Sequence, residues 1–220
     1  MSVERPGAQQ WVPDDPDVDG IRAAAPDCRG CELWADATQV VVSAGPPDAD
    51  VMLVGEQPGD QEDRDGEPFV GPAGRLLGEA IEAAGIDRDR VYVTNAVKHF
   101  RFQERGKRRL HKKPAIAHIK ACWPWLEAEL AAVRPAVVVA MGATAGRAVL
   151  GRDVKVGEER GQVLSEDPAV LVTAHPSSVI RLRGRKGYDE AFDALVADLG
   201  AGALLAGRRD RRRGPQQDDA

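Results

Sequence analysis

The chain has 220 residues, enough for one domain with a sizeable core, and its 43% apolar content contains no run long enough to cross a membrane. Its first residues lack the apolar stretch of a secretory leader, so a cytoplasmic protein is expected. A formal net charge of -5 argues by its sum against nucleic acid, but segment 98–113 (KHFRFQERGKRRLHKK) carries a single acid, Glu104, so one face can be basic on an acidic protein. Three cysteines in such a chain argue against a disulfide framework and leave metal binding, catalysis or core filling.

Residues 1–19, rich in Pro, Asp and Gln and without apolar period, are expected to be disordered. The run at 51–54 (VMLV) reads as a buried strand stopping at Gly55. Pro72 opens a helix whose stripe of Leu76, Leu77, Ala80, Ile81 and Ala84 ends at Gly85. A second strand is expected at 91–94, and then a helix over 114–133 that Pro124 breaks or kinks. A third strand at 136–140 precedes Gly142 and a short helix to Leu150. Strands at 163–164 and 169–173 and a last helix over 188–205 complete a single domain over 20–206, with 207–220 a disordered tail. No apolar stripe is left unexplained, so a monomer is expected.

Near-continuous Val/Leu strands separated by helices predict an α/β fold, a three-layer α/β/α sandwich on a mainly parallel sheet. Such sheets work at the carboxyl ends of their strands. That rule selects 55–59 (GEQPG), Asn95 to Lys98, and His175 with Pro176, Ser177 and Ser178. No G-x-G-x-x-G follows a strand, which gives a dinucleotide site little support. Cys28 and Cys31 form a C-x2-C pair that can grip one metal or cluster. Cys122 is the only other thiol, and a fourth ligand must be non-cysteine, His99 being the best placed. Spacing alone leaves zinc and iron–sulfur open. His118 is read as a surface or packing histidine, and the acids Asp60, Glu62, Asp63, Asp65 and Glu67 as a solvated loop without assigned role.

The segments GEQPG at 55–59, Glu62-Asp63, GEPFVGPAG at 66–74 and Leu76-Leu77 resemble the first motif of the iron–sulfur (family four) uracil-DNA glycosylases. VTNAVK at 93–98 and His175-Pro176-Ser177 resemble the other two motifs, in the same order, so the likeness runs from Cys28 to Leu199. Two departures resemble the UdgX branch: His99 stands where most of the family has cysteine, and Lys107, Arg108, Arg109, Leu110 and His111 match its extra loop. The resemblance implies a uracil-DNA glycosylase fold, and a [4Fe–4S] cluster held by Cys28, Cys31, His99 and Cys122.

The resemblance also implies the roles. Breaking the bond between uracil and deoxyribose leaves an anion on the base and oxocarbenium character at C1′, after the base has left its stack. Asn95 and Gln57 line the uracil pocket, Phe69 stacks on the base, His175 donates to the uracil oxygen, and Glu56 favours the cationic sugar or orients the attacking group. His111 bonds to C1′: an imidazole is substantially unprotonated at neutral pH, and holding it at C1′ gives an effective concentration on the order of 10⁵ M, so it outcompetes water. The resulting N-alkylated imidazolium lacks the escape route of an ester. Arg109 is expected to dock the loop by pairing with Glu56. Lys107, Arg108, Lys112, Lys113, Ser177, Ser178 and Arg181 are expected on the DNA backbone. The partner is uracil-containing DNA, single-stranded favoured because no pairing need be broken, with free uracil as product. An ordinary turnover glycosylase and a non-catalytic iron–sulfur DNA sensor are the competing readings.

Overall fold

A computed structural model describes residues 5–213, the side chains of 209–213 apart. In chain order its elements are α1 Val18–Ala24, α2 Leu33–Asp36, β1 Ser43–Ala44, β2 Val51–Gly55, α3 Asp60–Asp65, α4 Pro72–Ala83, β3 Val91–Asn95, β4 Phe102–Arg105, β5 Arg108–His111, α5 Ile116–Val133, β6 Val137–Met141, α6 Ala143–Leu150, α7 Val156–Glu159, β7 Val163–Glu166, β8 Ala169–Thr173, α8 Pro176–Ile180 and α9 Tyr188–Arg213. The main sheet has the order β1-β3-β2-β6-β8-β7, its four central strands parallel and its two edge strands antiparallel.

Strand periodicity divides the core. Met52, Val54, Val138, Ala140, Val170 and Val172 face one side, where α1, α5 and α6 pack; Leu53, Val137, Val139, Met141 and Leu171 face the other, under α4, α8 and α9. Every residue of β2, β6 and β8 is buried, which explains why these strands read as continuous apolar runs rather than alternating ones. The expected three-layer α/β/α architecture is therefore present.

Four expectations are corrected. Segment 1–19 is not disordered from Arg5 onward: the Gly7 N–H donates to the Gly30 carbonyl and the Ala8 N–H to that of Ala121, while Ala8, Val18 and Ile21 are buried. Its few apolar residues suffice because they plug an existing core. Residues 207–213 continue α9 rather than forming a disordered tail; residues 1–4 and 214–220 lie outside the described residues. Pro124 stops nothing, because α5 runs through it with Cys122, Trp125 and Leu126 buried on either side. That packing outweighs a lost helical bond of about 3 kcal/mol. The basic segment is no open loop but a two-stranded hairpin, β4 with β5, turning at Gly106 with φ +62.

Beneath the sheet's carboxyl edge lies a buried ion pair that charge counting did not anticipate. Lys98 Nζ meets Glu129 Oε2 at 2.5 Å, with both side chains at most 1% exposed. The Thr94 and Tyr92 hydroxyls bond to the same carboxylate, and Lys98 Nζ also donates to the Asn95 carbonyl at 3.0 Å. The network fixes the end of β3 against α5.

Candidate active site

The carboxyl ends of β2, β3, β6 and β8 surround a cleft of about 600 Å³. Glu56 and Gln57 follow β2, Asn95 ends β3, Thr144 follows β6, His175 follows β8, and His111 reaches in from β5.

The floor is shaped by absent side chains. A Cβ on Gly55 would stand 2.3 Å from Asn95 Oδ1 and 2.6 Å from the Phe69 ring, so only glycine lets those two groups approach across β2. Phe69 itself has φ +59, a strained position for a bulky residue, and a Cβ on Gly74 would overlap its carbonyl. The loop holds this geometry through Glu62, whose carboxylate accepts from the Gly71 N–H at 2.7 Å and the Gly59 N–H at 3.1 Å. Glu62 and Asp63 are thus buried structural acids, not members of a solvated loop. Their spacing on a short helix, three and four residues past Gly59, was the available signal.

Glu56 is the electrostatic centre. Its Oε1 lies 3.2 Å from His111 Nε2, and its Oε2 accepts a short hydrogen bond from the Thr144 hydroxyl. Burial opposes its ionisation and is the largest influence. The hydrogen bonds from His111 and Thr144, with the attraction of His111 and His175, outweigh it and hold the carboxyl below its ordinary range. His175 goes the other way: burial, against the pull of Glu56, brings its imidazole down to about 4, so it is neutral at physiological pH. Its Nδ1 accepts from the Ser177 N–H at 3.1 Å, which assigns the proton to Nε2 and makes that nitrogen a donor. The Ser177 hydroxyl contacts the same Nδ1 at 2.8 Å, and Ser178 Oγ donates to the His175 carbonyl at 2.7 Å. Ser177 and Ser178, expected on the DNA backbone, both bond to His175 and help to orient it.

The hairpin is docked by Arg109, whose partners differ from expectation, and by Gln57. Arg109 does not pair with Glu56. Its Nε meets Asp60 Oδ1 at 2.5 Å and one terminal nitrogen meets Asp63 Oδ2 at 2.6 Å, while the guanidinium covers the Phe100 and Phe102 rings at 5.6 and 5.0 Å. Asp63 is fully buried and also accepts from the Thr38 N–H, so this guanidinium completes a prepared anion site. Gln57 lines the cleft, but its amide clamps the hairpin base, donating to the Arg101 and Lys112 carbonyls at 3.0 and 3.3 Å and accepting from the Arg101 N–H at 3.1 Å. Strand alternation then places His111 on the same face as Arg109, toward the cleft. Lys107, Arg108, Lys112 and Lys113 remain exposed around it, and Arg181 lines the opposite wall.

Behind the cleft, Cys28, Cys31, Cys122 and His99 are all buried. Burial pushes the Cys31 thiol up to about 11 and Cys122 to about 12, and it lowers His99 to about 4, leaving a neutral ring with a free lone pair. Trp125 Nε1 donates to Cys28 Sγ at 3.2 Å and the Lys98 N–H to Cys122 Sγ at 3.3 Å. N–H donors aimed at buried sulfurs fit thiolates bound to a metal group. Among the described residues no three such donors converge as a single ion requires. His118, by contrast, is a wholly buried structural histidine: it accepts from the Ala115 N–H at 2.9 Å and contacts Glu32, which also pairs with Arg5.

Thr144 and the buried pair of Lys98 with Glu129 escaped the sequence reading. The first had a signal, since it follows Gly142 at the end of a predicted strand, the position that singled out the other loops.

Comparison with known proteins places this site in context. A profile of the uracil DNA glycosylase superfamily matches residues 42–200. The chain is 36% identical over 162 residues to a type-4 uracil-DNA glycosylase of Thermotoga maritima, covering 72% of this chain and 81% of that protein. It is 30% identical over 188 residues to one from Archaeoglobus fulgidus, covering 81% and 91%. A type-5 uracil-DNA glycosylase of Pyrobaculum aerophilum is 33% identical over 206 residues, covering 84% and 88%.

Proposed function

Because the chain belongs to the uracil-DNA glycosylase superfamily, we propose that it excises uracil from DNA and remains bonded to the deoxyribose through His111. The contact of His111 Nε2 with Glu56 at 3.2 Å, on a hairpin docked by Arg109 and Gln57, carries this reading.

Uracil turned out of the strand enters the cleft, with Phe69 as stacking face and Asn95 offering a donor and an acceptor to its amide edge. As the C1′–N1 bond breaks, its electron pair leaves with the base, and the neutral His175 donates from Nε2 to the uracil oxygen. Glu56 lowers the energy of the cationic sugar and takes the Nε2 proton of a His111 ring that keeps its Nδ1 proton, and the freed Nε2 lone pair forms the bond to C1′, leaving an N-alkylated imidazolium. The N-alkylated ring is a poor leaving group, so one turnover ends the reaction. The exposed Lys107, Arg108, Lys112 and Lys113 supply salt-sensitive phosphate contacts. Single-stranded DNA is the favoured substrate, because no base pair must be opened.

Cys28, Cys31, His99 and Cys122 would hold a [4Fe–4S] cluster that ties the N-terminal segment, the end of β3 and α5 together. Its contribution here is structural, through the fold it cross-links. Protein prepared without oxygen is expected to be brown, with broad visible absorbance and matching iron and sulfide; stoichiometric zinc instead would reject the cluster.

The function is tested by mixing the protein with a single-stranded oligonucleotide carrying one uracil and running a denaturing gel. A slower band resistant to heat and detergent is expected. Strand breakage after alkali without that band would mean that water wins at C1′, and neither signal would exclude glycosylase chemistry.

A further inference from the structure

We infer that Thr144 is a positioning residue for base excision: its hydroxyl locks one oxygen of Glu56 so that the other faces His111 and the sugar. The inference rests on the proposed reading of the cleft and deepens it.

A glutamate side chain loses rotamer freedom when it is fixed, and His111, half exposed on a hairpin, is a weak anchor for it. Thr144 is a strong one. It is 4% exposed, β-branched and therefore stiff about χ1, and it stands in the first turn of α6, held to the sheet through β6. A carboxylate only accepts, so the bond runs from the Thr144 hydroxyl to Glu56 Oε2. With Oε2 occupied, Oε1 alone remains to take a proton or favour positive charge at C1′. The arrangement joins three strand ends: β2 supplies the carboxylate, β6 its anchor and β8 the opposing histidine.

The charged and titratable groups around Glu56 are His111 from β5, His175 after β8, and Glu62, Lys113 and Arg181 on the cleft wall. None of the others donates to Oε2. Removing the hydroxyl therefore leaves a half-buried carboxylate oxygen without its donor, which favours protonation and moves loss of activity to higher pH.

The experiment compares wild-type protein with Thr144→Val and Thr144→Ser, measuring single-turnover excision of uracil, as covalent adduct plus alkali-labile sites, at saturating protein across the acid and neutral range. Thr144→Val is expected to slow excision roughly 10- to 100-fold and raise the acid-limb midpoint by about one pH unit. Thr144→Ser, which restores the donor, is expected to stay within about threefold of wild type with an unmoved acid limb. Binding of a uracil-free oligonucleotide should not change in either variant. A valine variant matching wild type at every pH, or a serine variant as slow as valine, would overturn the role while leaving the proposed function standing. Wild-type protein that excises nothing would overturn both.

Discussion

Replacing His111 with alanine is expected to eliminate the heat-stable band on uracil-containing oligonucleotides while leaving the base-binding groups in place. Phe69, Asn95 and His175 come from the sheet edge and its following loops, not from the hairpin, so the proposed pocket and donor for uracil should survive the change. The space vacated beside Glu56 Oε1 opens to solvent, since His111 is half exposed and lies at the mouth of the cleft. Water oriented by that carboxylate then reaches C1′, and the product becomes an abasic site that breaks under alkali. Adduct yield should fall from near stoichiometric to undetectable, and uracil release should continue beyond one equivalent. A variant that kept the band would place the bond on another residue.

This division of labour was partly legible in the sequence because the two halves of the site obey different rules. Residues at strand ends can be found once the strands are found; β2, β6 and β8 are readable because burial on both faces makes them near-continuous apolar runs, and β3 by its β-branched and aromatic residues. Glu56, Asn95 and His175 followed directly. Thr144 obeys the same rule, and only its lack of an ionisable group hid it. The partners of polar side chains were not legible. Arg109 was matched to Glu56 because both belong near the reaction, whereas the fold buries Asp63 with an unfilled need for a cation 2.6 Å from where the guanidinium arrives. Gln57 was expected to line the uracil pocket; it does line the cleft, and the hairpin's use of its amide was the part that the sequence did not reveal. Both gaps share a cause. Sequence position indicates which loop a residue occupies but not which of several neighbours its desolvated polar atoms must satisfy.

The same need for a partner makes Arg109 the most sensitive position outside the reacting groups. Arg109→Ala leaves Asp63 fully buried with only the Thr38 N–H for compensation, at a cost of about 3 kcal/mol for an unpaired buried carboxylate, or a melting temperature lower by roughly 10 °C. It also removes the guanidinium from the Phe100 and Phe102 rings, so the hairpin is held at its base by Gln57 but not along β5. His111, two residues away on the same face, then samples positions off the line of attack, and covalent capture should slow by about 100-fold. The two consequences can be separated. Adding Asp63→Asn removes the stranded charge and should bring the melting temperature back to within a few degrees of wild type. Capture should stay slow, because the asparagine cannot restore docking. If stability and capture returned together, Arg109 would matter only through the fold; recovery of stability alone would assign it to aiming the histidine.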